Sequence, residues 1–331
     1  MRILHVCLSN FYIEHYTYQE NMLSIQNKKD GHDVMILAST ETYDDNISIG
    51  YIQPIEYIND YGIKVKRIPY VNLFNSFLEK KVRAYKGVYK IVEDFSPDVI
   101  LFHGISAYEL ITIAKYKKKY SKTKFYIDNH ADFGNTGRKW LSMNILHKIF
   151  YKSIVRFCLP YVDKFLYISL DCGKFLKEVY SIPEDRMEFY SLGGFITDEE
   201  TKAYTRNEIR AELGLTEQDI VFVQSGKIGR DKRLQDTLWA FKQVTDERFK
   251  LLIIGSLTDE IKAIVEEYIK NDKRIIYLGW KSGAELQRYL LACDVYLQPG
   301  TVSAIAQNAI CCGCAVMLKN HYIYGIFIDG N

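Results

Sequence analysis

The sequence predicts two α/β domains, each built on a doubly wound parallel sheet. Short apolar runs alternate with longer segments of helical period, and this rhythm occurs twice along the chain. Several runs are apolar at successive positions, as expected of strands that are buried on both faces of a parallel sheet. Repeated β-α-β units account for both observations.

The first series contains six predicted strands, at 2–8, 33–39, 65–70, 98–104, 124–130 and 164–169. The second contains five, at 220–225, 250–255, 274–279, 294–299 and 315–319. Helices are predicted between the strands of the second series, near 234–245, 258–271, 283–292 and 303–312. The segment 191–208 has a Gly pair and no strand pattern, so we predict domains at 1–192 and 193–331.

Length and composition describe an ordinary globular protein. A chain of 331 residues with 48% hydrophobic residues and a net charge of +2 is long enough for two domains with a core each. The N-terminal apolar run is too short for a signal peptide, and no stretch approaches the ~18 uncharged residues of a membrane span. We therefore expect a cytoplasmic protein.

The seven cysteines favour reduced core thiols over disulfides, because their number is odd and most lie in apolar runs. The cluster "CCGC" at 311–314 lacks the second Cys pair or the distant histidines that a zinc site requires. We predict no metal site.

The charge is distributed unevenly. Residues 64–156 carry 19 Lys and Arg against 7 Asp and Glu, so we expect an anionic partner on this side. The segments 75–95 and 139–157 interleave cations with apolar residues, as in amphipathic helices that touch an anionic membrane face. Their apolar faces could instead pack on the sheet, which we favour for the second segment and leave open for the first. Nucleic acid is not expected, because no matching motif accompanies these segments.

Two segments after strands of the second series are candidate anion sites. "GKIGRDK" (226–232) combines glycines, which allow close backbone approach, with cations that can meet a phosphate. Its spacing is not that of a Walker A loop, and no G-x-G-x-x-G follows a strand. "QPGTVSAIAQNAICCG" (298–313) runs from a Pro-Gly turn into a helix that Thr301 and Ser303 could cap, and helix N-termini favour anions. A solvated basic turn and a routine capped helix are the alternatives.

Two histidines end successive predicted strands of the first series. His103 and His130 should both face the ligand-binding edge of the sheet, because the carboxyl ends of parallel strands meet there. Asp132 follows His130 by two residues, and we predict that this carboxylate sets the tautomer of His130. The remaining histidines are given structural roles, namely His5, His15, His32, His147 and His321.

The order of these pieces resembles a known family. "MRILHVCLSNF", "DGHDVMIL", "SPDVILFHG", "YIDNHADF", "SGKIGRDKR", "LLIIG", "IIYLGW" and "CDVYLQPG" are similar, over nearly the whole chain, to the retaining glycosyltransferases of the GT-B fold in glycosyltransferase family 4, the glycosyl transferases group 1. The resemblance implies two Rossmann-like domains facing across a cleft, an acceptor-binding first and a donor-binding second. It also implies sugar transfer from a UDP- or GDP-type donor, without a further cofactor, to a polysaccharide or lipid-linked oligosaccharide of a capsule or O-antigen.

The resemblance also assigns roles to residues. "GKIGRDK" matches the family's G-R-x-x-x-x-K element, with Lys227 in place of the usual arginine, so Lys227 and Lys232 are expected to hold the donor diphosphate. His130 matches the active-site histidine. The other candidates are Gly300, Thr301 and Ser303 for the diphosphate, Gly226, Trp280 and Asn308 for the nucleoside, and Asn10, His103 and Asp132 for the acceptor.

Two of the chain's departures from the family concern the second domain. Asn308 stands where the second Glu of an E-x7-E element would lie, and the first Glu has no counterpart. The family continues beyond the equivalent of residue 331, so we expect an incomplete second domain. Two alternatives follow: a relative that binds a nucleotide or a partner without turnover, or a GT-B nucleotide-sugar epimerase.

Overall fold

The protein divides into two compact units, Met1–Ser191 and Leu192–Asn331. The computed structural model describes residues 1–16, 18–43, 49–72, 76–194, 196–301 and 303–327. The predicted boundary falls between residues 192 and 193.

The first unit contains an eight-stranded sheet and a separate hairpin. The strands are β1 (Arg2–Cys7), β2 (Asp33–Ser39), β3 (Glu41–Tyr43), β4 (Ile49–Tyr51), β5 (Ile55–Ile58), β6 (Lys64–Ile68), β7 (Val99–His103), β8 (Lys124–Asn129), β9 (Lys164–Tyr167) and β10 (Met187–Phe189). The sheet order is β10-β9-β8-β7-β1-β2-β6-β5, and only the β5–β6 pairing is antiparallel. All six predicted strands are present. The additional strands are β10, the edge strand β5 and the β3–β4 hairpin, all short, so their apolar patterns carried little signal.

Helices connect these strands. They are α1 (Gln19–Lys29), α2 (Ser76–Val82), α3 (Val88–Phe95), α4 (Leu110–Lys119), a π-helical segment (Ser142–Tyr151) that continues into α5 (Lys152–Cys158), α6 (Leu170–Tyr180) and a 3₁₀ turn (Glu184–Arg186). The described part of the chain contains no helix that is long and apolar enough to cross a membrane.

The basic segment 75–95 forms two short helices. Arg83 and Gly87 lie between α2 and α3 with φ angles of 54° and 76°, in the left-handed region that ends a helix. Residue 75 lies outside the described residues.

The second unit contains a five-stranded, all-parallel sheet in the order β13-β12-β11-β14-β15. Its strands are β11 (Ile220–Ser225), β12 (Phe249–Ile254), β13 (Ile275–Gly279), β14 (Val295–Gln298) and β15 (Ala315–Leu318). Its helices are α7 (Glu199–Glu212), α8 (Leu234–Lys242), α9 (Asp259–Asn271), α10 (Gly283–Ala292) and α11 (Ile305–Cys311), with 3₁₀ turns at Arg230–Lys232 and Tyr322–Phe327. Every strand and helix predicted for this series is present.

Both sheets are buried on both faces, as the continuous apolar runs predict. In β1, Leu4 and Val6 join one core cluster, whereas Cys7 joins another on the opposite face. In β12, Leu252 and Ile254 join one cluster, and Leu251 and Ile253 the other. Each such side chain contributes about 1.5–3 kcal/mol when it leaves water. The polar loops at the strand ends therefore stand on rigid supports.

Glycines bring three strand ends of the second unit into close contact. Gly226 N donates to Ile254 O at 3.0 Å, and Gly255 N donates to Gly279 O at 2.7 Å. Gly255 has a φ of 139°, and a Cβ atom at this position would lie 1.8 Å from Gly226 O. No other residue fits there without separating the loops after β11 and β12.

Gly255→Ala should therefore destabilise the protein. The added methyl group meets a carbonyl oxygen and the backbone holds a positive φ, so we expect a loss of about 1–3 kcal/mol in the free energy of unfolding. Gly193→Ala is the matched control, because its Cβ would meet no atom within 4 Å. Chemical denaturation measures both variants, and equal stabilities would contradict the close contact.

Candidate active site

The two candidate anion loops lie at the same edge of the second sheet. β11 pairs with β12 on one side and β14 on the other. At this point of the sheet, the chain connections lead to strands on opposite sides of β11. Ligands of open α/β sheets bind outside the carboxyl ends of the strands at such points. "GKIGRDK" follows β11, and the Pro-Gly turn follows β14.

Gly300 lets the two loops touch through their backbones. A Cβ atom at Gly300 would lie 2.1 Å from Asp231 O and 2.7 Å from both Lys232 C and Lys232 Cα. Next to it, Thr301 N donates to Asp231 O at 3.0 Å and Thr301 Oγ1 donates to Asp231 Oδ2 at 2.8 Å. The two loops thus form one site, which contains Lys232, Gly300 and Thr301.

Lys232 is held by hydrogen bonds of both its side chain and its backbone carbonyl. Its Nζ donates to Thr301 O at 3.2 Å, and its carbonyl accepts from Gln224 Nε2 at 2.8 Å. Thr237 Oγ1 donates in turn to Gln224 Oε1 at 2.7 Å. Partial burial lowers the pKa of the Lys232 ammonium, against the opposing charge of Asp231. A bound phosphate would stabilise the charged form of the ammonium and so offset this cost of burial.

The other two cations of the loop behave differently. Arg230 Nε pairs with Glu260 Oε2 on α9 at 2.8 Å, so this guanidinium is engaged in a surface salt bridge. Lys227 is exposed and makes no hydrogen bond or ion pair with any residue that the structure describes. Lys227 and Lys232 therefore remain the candidates for a ligand phosphate.

The predicted caps of the following helix are wrong. α11 begins at Ile305, and its N-cap is Ala304, which makes no side-chain capping bond. The Thr301 hydroxyl bonds to Asp231 instead, and Ser303 Oγ accepts from Ile305 N only at 3.4 Å. The helix starts two residues later than predicted, because Thr301 is used to join the loops.

The nucleoside candidates are more dispersed. Asn308 is half-buried on α11, and a Cβ atom at Gly194 would lie 2.8 Å from Asn308 Oδ1, so Gly194 packs against this amide. Gly226 has a φ of 126° directly after β11. Trp280 follows β13, about 10 Å along the sheet from β11, with its side chain 66% exposed.

In the first unit, the carboxylate that faces His130 is Asp128 and not Asp132. His130 Nε2 lies 3.5 Å from Asp128 Oδ1, too far for a strong hydrogen bond but close enough for charge attraction. Asp132 instead closes its own turn, where its Oδ1 accepts from Gly134 N at 2.7 Å and Asn135 N at 2.8 Å. Side chains alternate along a strand, so residues 128 and 130 share a side.

Asp128 is completely buried and fully paired. Its Oδ2 accepts from His103 Nδ1 at 2.6 Å and its Oδ1 accepts from Gly104 N at 2.9 Å. Burial by itself would raise the pKa of Asp128, but His103 and His130 outweigh it and hold the pKa well below its usual range. For His130, burial lowers the pKa, and the negative charge of Asp128 more than reverses this, so the net pKa is raised.

His103 does not reach an acceptor site. Its side chain is 0% exposed, and both ring nitrogens are engaged, Nδ1 by Asp128 and Nε2 by His5 Nδ1 at 3.0 Å. His5 Nε2 lies 3.1 Å from Asn27 Oδ1, and burial lowers the pKa of His5 to about 3, so His5 is neutral. The prediction that His103 faces the ligand is therefore corrected: it supports Asp128 from behind.

A cavity of about 430 Å³ lies at the carboxyl ends of β1, β7 and β8. His130 and Asn10 both line it, whereas Asp132 and His103 are not among its lining residues. Lys80, Lys81 and Arg83 line the same cavity, which no sequence pattern predicted. No motif marks these cations: Lys80 and Lys81 lie in the last turn of α2, and Arg83 lies in the break between α2 and α3.

The fold is the α/β architecture of GT-B glycosyltransferases, with parallel-sheet Rossmann-like domains. HepE from Anabaena, crystallised with UDP, is 13% identical with a TM-score of 0.61; the alignment covers 99% of this chain and 83% of HepE. Sucrose-phosphate synthase from Thermosynechococcus elongatus is 14% identical with a TM-score of 0.57, covering 96% and 80%. WaaG, a glycosyltransferase involved in lipopolysaccharide biosynthesis, is 13% identical with a TM-score of 0.54, covering 98% and 84%.

In sequence, residues 205–329 match the family model of the glycosyl transferases group 1. This match contains Lys227, Lys232, Gly300, Thr301 and Asn308. No curated protein matches the chain. The structural likenesses establish the fold, and the family match is confined to the second unit.

The stability contributed by His130 should depend on pH. Its folded pKa is raised, so the contribution is present below the unfolded value of about 6.5 and is lost as the pH rises through the folded pKa. The pKa of Asp128 is depressed, so this carboxylate stays ionised at pH 5.5. His130→Gln should therefore lower the unfolding free energy more at pH 5.5 than at pH 9.

The isosteric Asp128→Asn background provides the control for this measurement. Without the carboxylate, burial alone lowers the pKa of His130, so His130→Gln should no longer cost more at pH 5.5 than at pH 9. A cost that is equal at both pH values in the parental protein would contradict the pairing.

Proposed function

We propose that the protein is a glycosyltransferase that transfers a sugar, with retention of anomeric configuration, from a nucleotide-sugar donor of UDP or GDP type to a polysaccharide or lipid-linked oligosaccharide acceptor. The observation that carries this proposal is the joined site of Lys232, Gly300 and Thr301 at the divergence point of the second sheet. The family match over residues 205–329 and the presence of UDP in HepE support a nucleoside diphosphate as the ligand.

The cations act on the leaving group. Lys232 and Lys227 neutralise the charge that develops on the diphosphate as the bond from the sugar C1 to the phosphate oxygen breaks, an electrostatic effect worth a few kcal/mol of barrier. Lys227 lacks the bidentate fork of an arginine and so binds as a point charge. Gly300 permits close backbone approach, whereas Thr301, whose N–H and hydroxyl both bond to Asp231, positions the loop.

His130 is the proposed catalytic residue. Its ionised neighbour Asp128 favours a hydrogen on Nε2 and stabilises positive charge on the ring. In the charged ring, Nδ1–H is then the donor for oxygen atoms of the reacting sugar. The acceptor hydroxyl forms the new bond to C1, and its proton passes to the departing phosphate oxygen. No pair of enzyme carboxylates is needed for this step.

The nucleoside roles follow from exposure and hydrogen-bonding capacity. The exposed ring of Trp280 offers a flat apolar surface for a base. Asn308 provides an amide that can hydrogen-bond a ribose hydroxyl without charge. Asn10 and Asp132 remain candidates for acceptor contacts, and of these two only Asn10 lines the cavity of the first unit.

Lys232→Met should weaken the binding of UDP or GDP by at least about tenfold, because it removes a charge-assisted hydrogen bond to phosphate. Arg230→Met is the matched control in the same loop, because Arg230 pairs with Glu260. Isothermal titration calorimetry measures both variants. An unchanged affinity in Lys232→Met would reject the diphosphate site.

The products formed by the same protein preparations distinguish the candidate functions from one another. We expect release of UDP or GDP from a bound donor, with the anomeric configuration of the released or transferred sugar retained by NMR. The neutral Asn308, in place of a glutamate, favours the second candidate, a relative that binds without turnover. A bound donor that stays intact would support that candidate, and an epimeric sugar nucleotide would identify an epimerase.

We also propose that the protein works at the cytoplasmic face of a membrane through residues 139–157. One face of this helical segment packs into the core through Tyr151, Ile154 and Val155, as the sequence analysis favours. The opposite face exposes apolar side chains, namely Trp140, Leu141, Ile145, Ile149 and Phe157. Exposed cations accompany them at Lys139, Lys148 and Arg156. The segment contains no Asp or Glu, which suits an anionic lipid surface at about 1 kcal/mol per cation.

Trp140→Ser should reduce binding to phosphatidylglycerol-containing vesicles by at least about tenfold, because a large apolar side chain no longer enters the interface. Trp239→Ser is the matched control, since Trp239 is 65% exposed against 69% for Trp140 but lies on α8 of the second unit. Vesicle sedimentation measures both. Equal retention of the two variants, or binding that does not weaken with salt, would refute the proposed surface.

A further inference from the structure

We propose that the acceptor of this enzyme carries a phosphate group, and that Lys80, Lys81 and Arg83 hold this phosphate in the cavity of the first unit. The inference rests on the proposed transferase function, because a ligand of this cavity is an acceptor only if the protein is a transferase. The site itself rests on the cavity, which is defined by residues of the first unit alone.

The cavity has the position and size of a ligand site. It lies outside the carboxyl ends of β1, β7 and β8, where β1 pairs with β2 on one side and β7 on the other. Its volume of about 430 Å³ falls in the range of small-molecule pockets. His130 lines it, so a ligand here would lie beside the proposed catalytic residue.

The charge of the lining is one-sided. Lys80, Lys81, Arg83 and His130 contribute to it, and no Asp or Glu is among its described lining residues. Asp128 lies behind His130, but its oxygens are already bonded to His103 and Gly104. Clustered cations without a neutralising carboxylate repel one another, and an anion removes that repulsion.

The two lysines are oriented by aromatic rings. Lys80 Nζ lies 5.2 Å from the centre of the Tyr51 ring, and Lys81 Nζ lies 5.7 Å from the centre of the Phe77 ring. A cation over a ring keeps its charge and its hydrogen-bond donors. The hydrogen bond to Tyr51 and the charge of Glu41 raise the pKa of Lys80, so its ammonium stays charged. Neither lysine forms a salt bridge within the described residues, so each ammonium keeps N–H donors for a phosphate.

Arg83 is held more firmly than a surface arginine. Its Nη1 donates to the carbonyl of Ser9, to Ser9 Oγ at 3.2 Å and to Ser106 O at 3.2 Å. Its backbone has a φ of 54°, a strained conformation that tends to occur at functional sites. Within the described chain, its hydrogen bonds use Nη1 alone, which leaves Nε–H and Nη2–H for a ligand. Those two donors match the bidentate geometry of a phosphate.

The test uses the chain of 331 residues and two phosphate monoesters, glucose 1-phosphate and farnesyl phosphate, titrated by calorimetry with and without saturating UDP. We expect the parental protein to bind at least one of them in both conditions. Binding of glucose 1-phosphate alone indicates a water-soluble acceptor, and preference for farnesyl phosphate indicates a lipid-linked one. Displacement of both probes by UDP would overturn the proposal, because they would then occupy the donor site.

The variant Lys80→Gln with Lys81→Gln should weaken the binding of the probe by at least about tenfold. Its matched control is Lys86→Gln with Lys115→Gln, which removes the same charge from exposed positions outside the cavity. Arg83→Lys, which keeps the charge but not the two-pronged donor, should also weaken binding while thermal unfolding confirms the fold. Unchanged affinity in the double lysine variant would overturn the proposal.

The proposed transferase function and the proposed phosphorylated acceptor can be rejected independently of each other. Loss of UDP binding in Lys232→Met reports on the donor site of the second unit. Loss of phosphate monoester binding in Lys80→Gln with Lys81→Gln, at unchanged UDP affinity, reports on the first-unit cavity. A protein that binds UDP and cleaves a donor but ignores both monoesters would retain the transferase proposal and reject the phosphorylated acceptor.

Discussion

The candidate donor site depends on one steric constraint, the absence of a side chain at Gly300. The backbone of Asp231 and Lys232 occupies the space where a Cβ atom would stand, so the loops after β11 and β14 touch directly. This contact lets the Thr301 carbonyl accept a hydrogen bond from the Lys232 ammonium, while the Thr301 hydroxyl donates one to Asp231. The position of Lys232 is thereby fixed by backbone geometry, and a flexible lysine becomes an oriented cation.

The first unit fixes its polar groups by a different means, a buried chain of hydrogen bonds. Asn27, His5, His103 and Asp128 follow one another in contact, and His130 stands at the end that reaches the cavity. An ionised carboxylate in a dry interior is costly unless it is paired, and here three neighbours stabilise it. The network therefore keeps a negative charge beneath a half-buried histidine, and this charge is what raises the pKa of His130.

The pattern of apolar residues predicted the fold, because continuous apolar runs indicate strands that are buried on both faces. All eleven predicted strands are present in the structure. For the candidate site, the sequence singled out Lys227 and Lys232 because their motif lies within one loop, and their role in binding a diphosphate stays a prediction. Asp128 was missed because Asp132 is a similar neighbour in sequence, although strand alternation places Asp128 on the side of His130. The place of Lys80 and Arg83 at the cavity could not be predicted, since it depends on how α2 and the break at Arg83 pack in the folded unit.

The cations of the first unit lie in two different settings, and physical chemistry distinguishes the partners that each setting would attract. The exposed cations along residues 139–157 stand beside exposed apolar side chains, an arrangement that gains from a planar anionic surface and weakens with salt. Lys80, Lys81 and Arg83 line a concave site, where lower polarity strengthens attraction and geometry selects a compact anion. A membrane-bound phosphate ester would satisfy both at once, because its lipid part needs the surface and its phosphate needs the cavity.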